Sequence, residues 1–435
     1  MKAVPPLTPS GPLVMPERAD RTLPNGLKVT AMRRSSVPLA EIRLRVPFAR
    51  ADLANGQVLG STLLSGTETM SVVDIAAELQ AVGGGLSAGA DADWLAVSGN
   101  SLVDGLDRLL ELLAGSLTGA VYPANEVQTN RERIADRIAV ARNQPAHLVR
   151  AALLKRMYPG HPYAIQTPEP EAVRAAETAA LAELHAARVR PDGAILVIVA
   201  DMDPEKALDS VERALGGWAS GAELVTLPSA PELTGGPVTL VDRPGSVQSS
   251  IRAAMTTVHR TSPDHAPLSL VNMIYGGYFS SRLVENIRES KGYTYSPHSG
   301  IEHAQASSAM IIAADVATEV TGPALMEIMY ELGRLSLLAP SEEELEQARQ
   351  YSLGTLRLGM ATQAGLASLT MTLASSGLQA GWLEGHLERL ATVSREEVAD
   401  CARRYLAPTN AAYVVLGEAS TIEAPLSSWT QVARA

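Results

Sequence analysis

The sequence is short of several things at once, and each shortage closes off a class of protein. Cys401 is the one cysteine in 435 residues, so no intrachain disulfide can form and no cysteine zinc cluster can be built within the chain. Aromatic residues amount to 4%, with two phenylalanines, so the interior has to be filled by Leu, Val, Ala, Ile and Met. Basic residues are outnumbered, 36 Lys and Arg against 47 Asp and Glu, for a formal net charge of -11. Such a chain offers no basic stripe to neutralise a phosphate backbone, and nucleic acid is not an expected partner. No run reaches the roughly 18 apolar residues that cross a bilayer. The N-terminal stretch MKAVPPLTPSGPLVMPERAD is too broken by prolines to read as a signal peptide. A cytoplasmic protein without membrane contact is expected, a periplasmic location being the alternative.

What is present suffices for two cores. A chain of this length divides rather than enlarging a single core, and 46% apolar with 19% charged residues suits a folded globular class. The stretch ASGAELVTLPSAPELTGG, residues 219–236, has no helical or strand period and is rich in small residues, Pro and Gly, so it reads as a linker between domains at 1–218 and 237–435. Both parts run through the same elements in the same order. Two extended runs come first, from Leu27 and from Pro237. An apolar helix follows, from Val58 and from Ala266. Next comes a helix that ends in glycine and enters a strand, and then two long helices. Ser341 with Glu344 marks a capping box at the second of these in the later half. Each half closes on a helix, a Pro turn and an apolar strand, and Val199 and Leu416 in the closing strands lie about 217 residues apart. The predicted fold is α+β: two tandem, homologous α/β-roll domains, each a mainly antiparallel sheet covered by helices.

Residues for hydrolytic chemistry are scarce. Zinc hydrolysis needs imidazoles three or four residues apart on one helical face and a carboxylate base. None of the eight histidines, at 147, 161, 185, 259, 265, 298, 303 and 386, has another within four residues. His298 and His303 sit on a predicted strand, where an odd spacing points them to opposite faces. Neither a G-x-S-x-G nucleophile, a P-loop nor a dinucleotide fingerprint occurs. The run Gly83, Gly84, Gly85 follows a helix instead of opening one, so it is a helix cap and turn before it is a phosphate cradle. One stretch stands out, SSRLVENIRESKGYTYSPHSG from Ser280. A helical pattern stops there at Lys291 and Gly292, and Tyr293, Thr294 and Tyr295 take over as a strand. Arg288 at the helix end and a tyrosine on that strand could together hold a peptide carbonyl. On chemistry alone an exposed Arg beside a half-buried Tyr is the favoured explanation of the pattern, and Tyr293 shares the predicted strand face with Tyr295.

At this stretch the sequence resembles the pitrilysin and mitochondrial processing peptidase family, in particular its short bacterial two-chain members. The matching pieces are YGGYFSSRLVENIRESKGYTYS, PNGLKV, LSGTETMS, YPGHPYAIQT and VIVADMDPE. The resemblance implies a clam-like pairing with a homologous partner subunit, one chain holding zinc and the other supplying substrate-binding residues. Where catalytic members carry H-x-x-E-H, this chain reads QVLGSTLLSGT, with Gln57, Gly60 and Ser61 at the His, Glu and His positions. The later glutamate ligand would fall near Asp136 or Arg137. By the resemblance this chain binds no metal, and Arg288 and Tyr295 are its substrate-binding pair, the family pattern selecting Tyr295 over Tyr293. The implied function is the zinc-free subunit of a heterodimeric zinc metallopeptidase, inactive alone, acting on a peptide or unfolded protein whose strand pairs with a sheet edge. The alternative is a scaffold of the same fold, structural or peptide-binding, with no part in proteolysis.

Overall fold

The computed structural model describes residues 14–379 and 381–435. The first thirteen residues of the N-terminal stretch read above lie outside the described residues.

Two six-stranded sheets organise the chain. The first contains β1 (Arg18–Thr22), β2 (Lys28–Arg33), β3 (Leu39–Pro47), β4 (Gly85–Ala90), β5 (Trp94–Leu102) and β6 (Ile195–Ala200), in the spatial order β1-β2-β6-β3-β5-β4. The second contains β7 (Val238–Asp242), β8 (Gln248–Thr256), β9 (His298–His303), β10 (Ser308–Ala317), β11 (Ala412–Gly417) and β12 (Val432–Arg434), in the order β12-β7-β11-β8-β10-β9. Five strands match place for place, including the parallel pairs β2 with β6 and β7 with β11. The sixth comes from opposite ends of the chain: β1 runs antiparallel to β2, and β12 runs parallel to β7. The expected α+β fold of two tandem domains is the observed one, and residues 219–237 carry no helix or strand between the sheets.

The sheets bury apolar residues on both faces, and the cover on one face of each comes from the other half of the sequence. Helix Pro145–Met157 places Val149, Leu153 and Leu154 on Ala254, Ile311, Val414 and Leu416 of the second sheet. Helix Gln363–Ser375, also 13 residues long and about 218 positions later, places Leu366, Ala367 and Met371 on Met32, Val197 and Val199 of the first. Gln363, 3% exposed, anchors this crossing: its Nε2 donates to the carbonyls of Arg34, Val37 and Leu39 at 2.9, 3.0 and 2.9 Å. The sequence pattern had paired the elements of the two halves without reading either crossing helix. A helix buried on one stripe looks alike whichever sheet receives it.

Several of the short motifs are explained by this fold alone. In PNGLKV, Asn25 donates to the carbonyls of Leu215 and Trp218, and Gly26, at φ +91°, turns β1 into β2. Ser71 and Ser341 form capping boxes with Asp74 and Glu344, as the latter spacing predicts. The glycine run is the predicted helix end: Gly83, at φ +63°, and Gly84 donate their N–H groups to the carbonyls of Gln80 and Leu79, and β4 begins at Gly85. His298 and His303 fall on β9 as expected; His303 lies among other rings on the helix side and His298 is exposed.

Two local expectations are corrected. The first apolar helix is Leu53–Thr62 rather than a run from Val58, because the Asp52 carboxylate caps it by accepting from the Asn55 N–H. Residues 293–295 are not strand: the chain from Gly292 to Pro297 is a loop, and β9 starts at His298. With no pleat there, Tyr293 and Tyr295 do not share a face. Tyr293 packs against the second core, while Tyr295 is 80% exposed.

Candidate functional site

Arg288 sits on a widened helical turn. Arg282–Val284 is α-helical, and Glu285–Ser290 continues with π-type turns, Lys291 donating to the Asn286 carbonyl five residues back. The preceding helix, His265–Asn272, widens in the same way over Met273–Gly277. Such widened turns rotate the side chains that follow them and recur at functional sites. Gly292, at φ +63°, ends the helix, as the sequence predicted.

Two arginines six positions apart in this segment have different surroundings. The Arg282 side chain is 7% exposed and forms a two-point ion pair with Glu344 at 2.6 and 3.0 Å. Burial works to raise the Glu344 carboxyl, but the Arg282 guanidinium and the Ser341 N–H outweigh it and hold it below the ordinary range. Arg288 is 26% exposed and, among the described residues, pairs only with its neighbour Glu289 at 3.2 Å. Its guanidinium lies between two aromatic faces, 4.8 Å from the ring centre of Tyr295 and 4.8 Å from that of Phe279. The predicted pair is thus brought together, through ring stacking rather than a shared strand face. Phe279 was not singled out from the sequence. Only the fold separates the two phenylalanines: Phe48 is 1% exposed and Phe279 is 64% exposed.

The degenerate motif lies in the other half. Gln57 lines an open cleft of about 380 Å³ between the halves, with Asp91, Asp93, Tyr163, Glu302 and His303. The Ser61 hydroxyl is turned back onto the Val58 carbonyl at 2.9 Å. Gly60 is buried against β4, where a Cβ would stand 2.8 Å from the Ala90 nitrogen and 2.8 Å from the Gly89 Cα. The place where the family's base would project is occupied by backbone. Asp136 and Arg137 are both exposed, and Asp136 pairs with Arg174 at 2.8 Å. No cluster of three or more His, Cys, Asp or Glu side chains arranged to hold a metal occurs among the described residues. The side chains at Gln57, Gly60 and Ser61 therefore do not fit a zinc ion.

The cleft's own polar groups are engaged in joining the halves. Tyr163 donates to Asp93 at 2.7 Å, Asp93 accepts from the Gln305 N–H at 3.2 Å, and Ala306 donates to the Tyr163 hydroxyl at 3.1 Å. Arg150 pairs with Glu302 across the same gap. Burial raises the Asp93 carboxyl, partly offset by these hydrogen bonds, and burial raises the Tyr163 phenol. His161 donates from Nε2 to the Pro228 carbonyl at 3.0 Å while its Nδ1 accepts from the Tyr163 N–H. The motif YPGHPYAIQT is thereby accounted for as a clasp.

Two descriptions of one peptidase family match along the chain: "Insulinase (Peptidase family M16)" over residues 59–171 and "Peptidase M16 inactive domain" over residues 176–351. The chain belongs to the M16 peptidase family. Among curated relatives, an uncharacterised zinc protease of Mycobacterium leprae is 23% identical over 88% of each chain, and one of Mycobacterium tuberculosis is 25% identical over 88% of this chain and 90% of its own. Two solved structures have the same fold. An M16 inactive domain from Pseudomonas fluorescens superposes with a TM-score of 0.86 at 22% identity, covering 92% of this chain and 98% of that one. A protease from Helicobacter pylori superposes at 0.85 with 17% identity, covering 92% and 100%. No helix among the described residues of this M16 chain is long and apolar enough to span a membrane.

Proposed function

We propose that this chain is the zinc-free subunit of a two-chain M16 peptidase, in which Arg288 and Tyr295 hold an extended peptide and a homologous partner subunit carries the zinc. The observation that carries this reading is the exposed stack of Phe279, Arg288 and Tyr295. The fold gives no reason for it, whereas it does explain Asn25, Ser71, Tyr163 and Arg282 from the same set of motifs. Two large aromatic faces left in water, with a cation between them, supply donors and flat apolar surface to a ligand. Arg288 would donate to a peptide carbonyl as a charged fork, and the Tyr295 hydroxyl would donate to the same or the next carbonyl. The edge strand β9, which follows Tyr295, pairs with β10 alone among the described residues, and its other edge would take the backbone of that peptide. Gly60 and Ser61 leave the chemistry of bond cleavage to the partner.

The test is peptide hydrolysis by this chain, by a zinc-bearing relative from the same genome, and by their mixture. Activity is expected in the mixture alone. Arg288→Ala should lower kcat/KM by about 100-fold or more if its contact forms at the oxyanion, where a single donor is worth roughly 2.7–4 kcal/mol. Association of the subunits should be unchanged. A mixture that gains nothing, or an Arg288→Ala variant as active as wild type, replaces this reading with that of a scaffold.

A further inference from the structure

A second cavity, of about 420 Å³, opens beside the cleft at the far end of the second sheet. It is bounded by the loop after β8, the β9–β10 turn and the end of helix Gln363–Ser375, and lined by His259, Arg260, Thr261, His303, Gln305 and Ser376 among others. No acidic side chain lines it, although the chain carries 47 of them.

Arg260 is the unusual member. It is not exposed, its Nε is buried with no acceptor, and none of its nitrogens makes a hydrogen bond or ion pair among the described residues. Arg45 makes a useful contrast. Burial lowers both guanidinia below the ordinary arginine range, but Asp91 and Asp93 stand beside Arg45, and no carboxylate offsets Arg260. A half-buried charge with no counter-ion is costly, and the end of a helix supplies only about half a charge in compensation.

The neighbours of Arg260 are imidazoles. His303 and His259 both direct Nδ1 to the Ser308 hydroxyl, at 2.7 and 3.2 Å. Their Nε2 atoms are left without a protein partner among the described residues. The single Ser308 proton serves one of the two Nδ1 atoms, so one ring presents an Nε2–H donor to the cavity. A planar guanidinium beside that donor, with no acid lining the cavity, matches an oxyanion and repels a cation.

We propose that this cavity is an oxyanion-binding site in which Arg260 holds a carboxylate or phosphate group. Such a group has two sources. One is free inorganic phosphate. The other is the terminal carboxylate of a peptide in the adjoining cleft, since His303 and Ala304 line both cavities; that source rests on the peptidase reading.

The test uses the isolated full chain and needs no zinc-bearing partner, so its outcome is independent of hydrolysis in the mixture. Inorganic phosphate, an N-acetylated pentapeptide with a free terminal acid, and the same peptide amidated are titrated by calorimetry and followed by thermal unfolding. Saturable binding of phosphate or of the acid peptide is expected, with a rise in Tm as ligand loads the native state. Arg260→Gln should weaken it at least tenfold. It removes a half-buried charge that has no counter-ion among the described residues, so the ligand-free Tm should not fall. Arg260→Lys keeps the charge but loses the fork and should bind with intermediate strength, which preserves the test if the glutamine variant does not fold. Preference for the acid peptide over its amide assigns the carboxylate source, and phosphate binding without peptide binding assigns the free anion. No binding by either acid, or binding that both Arg260 variants retain at full strength, overturns the site.

Discussion

Gly60 in the first half and Gly276 in the second both lie where a helical segment packs on its sheet's edge strand, but at opposite ends of that strand. Each would drive a Cβ into that strand, Gly60, inside its helix, into Gly89 and Ala90 at the end of β4, and Gly276, in the π-type turn, into Ser299 near the start of β9 with contacts of 2.8 and 3.1 Å. The halves diverge in what comes next. In the first, the chain passes through a capping box into a regular helix, Val72–Ala81, and a glycine turn. In the second, π-type turns carry Arg288 out between Phe279 and Tyr295. In both halves a glycine lets a helical segment approach the edge strand closely, and in the first half that glycine is Gly60. The second keeps an exposed polar and aromatic segment that its own packing does not need. Loss of the motif at Gly60 is a steric fact as well as a chemical one.

The largest effect should come from undoing that packing. Gly60→Glu places a carboxylate and new volume against β4 backbone, and is expected to destabilise by about 4 kcal/mol or more. The triple change Gln57→His, Gly60→Glu, Ser61→His should gain neither zinc nor hydrolysis. Stoichiometric zinc uptake at an unchanged Tm would refute the sealed-glycine account.

Next in size are the crossing helices, which make the halves equal in packing though unequal in chemistry. Leu153→Ala and Leu366→Ala each leave a cavity on the opposite sheet and should cost about 2–5 kcal/mol. Denaturant unfolding should remain one transition for both. Two separated transitions would mean that the halves do not share their cores.

The two arginines sharpen the contrast within the second half. Arg282→Ala leaves Glu344 half-buried without its partner and should cost about 3 kcal/mol in stability. Arg288→Ala gives up ring stacking worth about 0.5–1 kcal/mol, so its effect should appear in the activity of the mixed subunits and hardly in Tm. Equal losses of stability would make Arg288 a structural residue like Arg282.

The smallest effect is on pH dependence. Burial, reinforced by His386, holds His265 down at about 3; burial, reinforced by Arg260, holds His303 and His386 at about 4. These imidazoles are neutral in the fold and titrate near 6.5 when it opens, so the unfolded state binds more protons in between. Their contribution is complete above about pH 6.5 and is lost as pH falls toward 4. Stability by denaturant titration should decline from pH 6.5 to 5, above the range where carboxylates contribute, and His386→Gln should flatten the slope. A level profile there would show that the rings are not held neutral.

The sequence by itself determined the order of elements, because apolar periodicity, glycine stops and capping residues act within a few positions of one another. It also showed that no H-x-x-E-H occurs, while the pairing of Arg288 with Tyr295 was only suggested, through the family resemblance, and became visible in the folded chain. Other features needed the folded chain. The loop at Tyr293–Tyr295 was misread because β-type residues favour strands only when a neighbouring strand pairs with them. Phe279, thirteen positions after Ala266, gave no periodic signal that it would stack on Arg288. His259, His265, His303 and His386 look isolated in sequence, yet His265 lies 5.3 Å from His303 and 5.0 Å from His386 by ring centres. The exchange of helices Pro145–Met157 and Gln363–Ser375 was equally invisible. Local propensity specifies that a stripe is apolar, and only the close packing of the whole chain decides which sheet it covers.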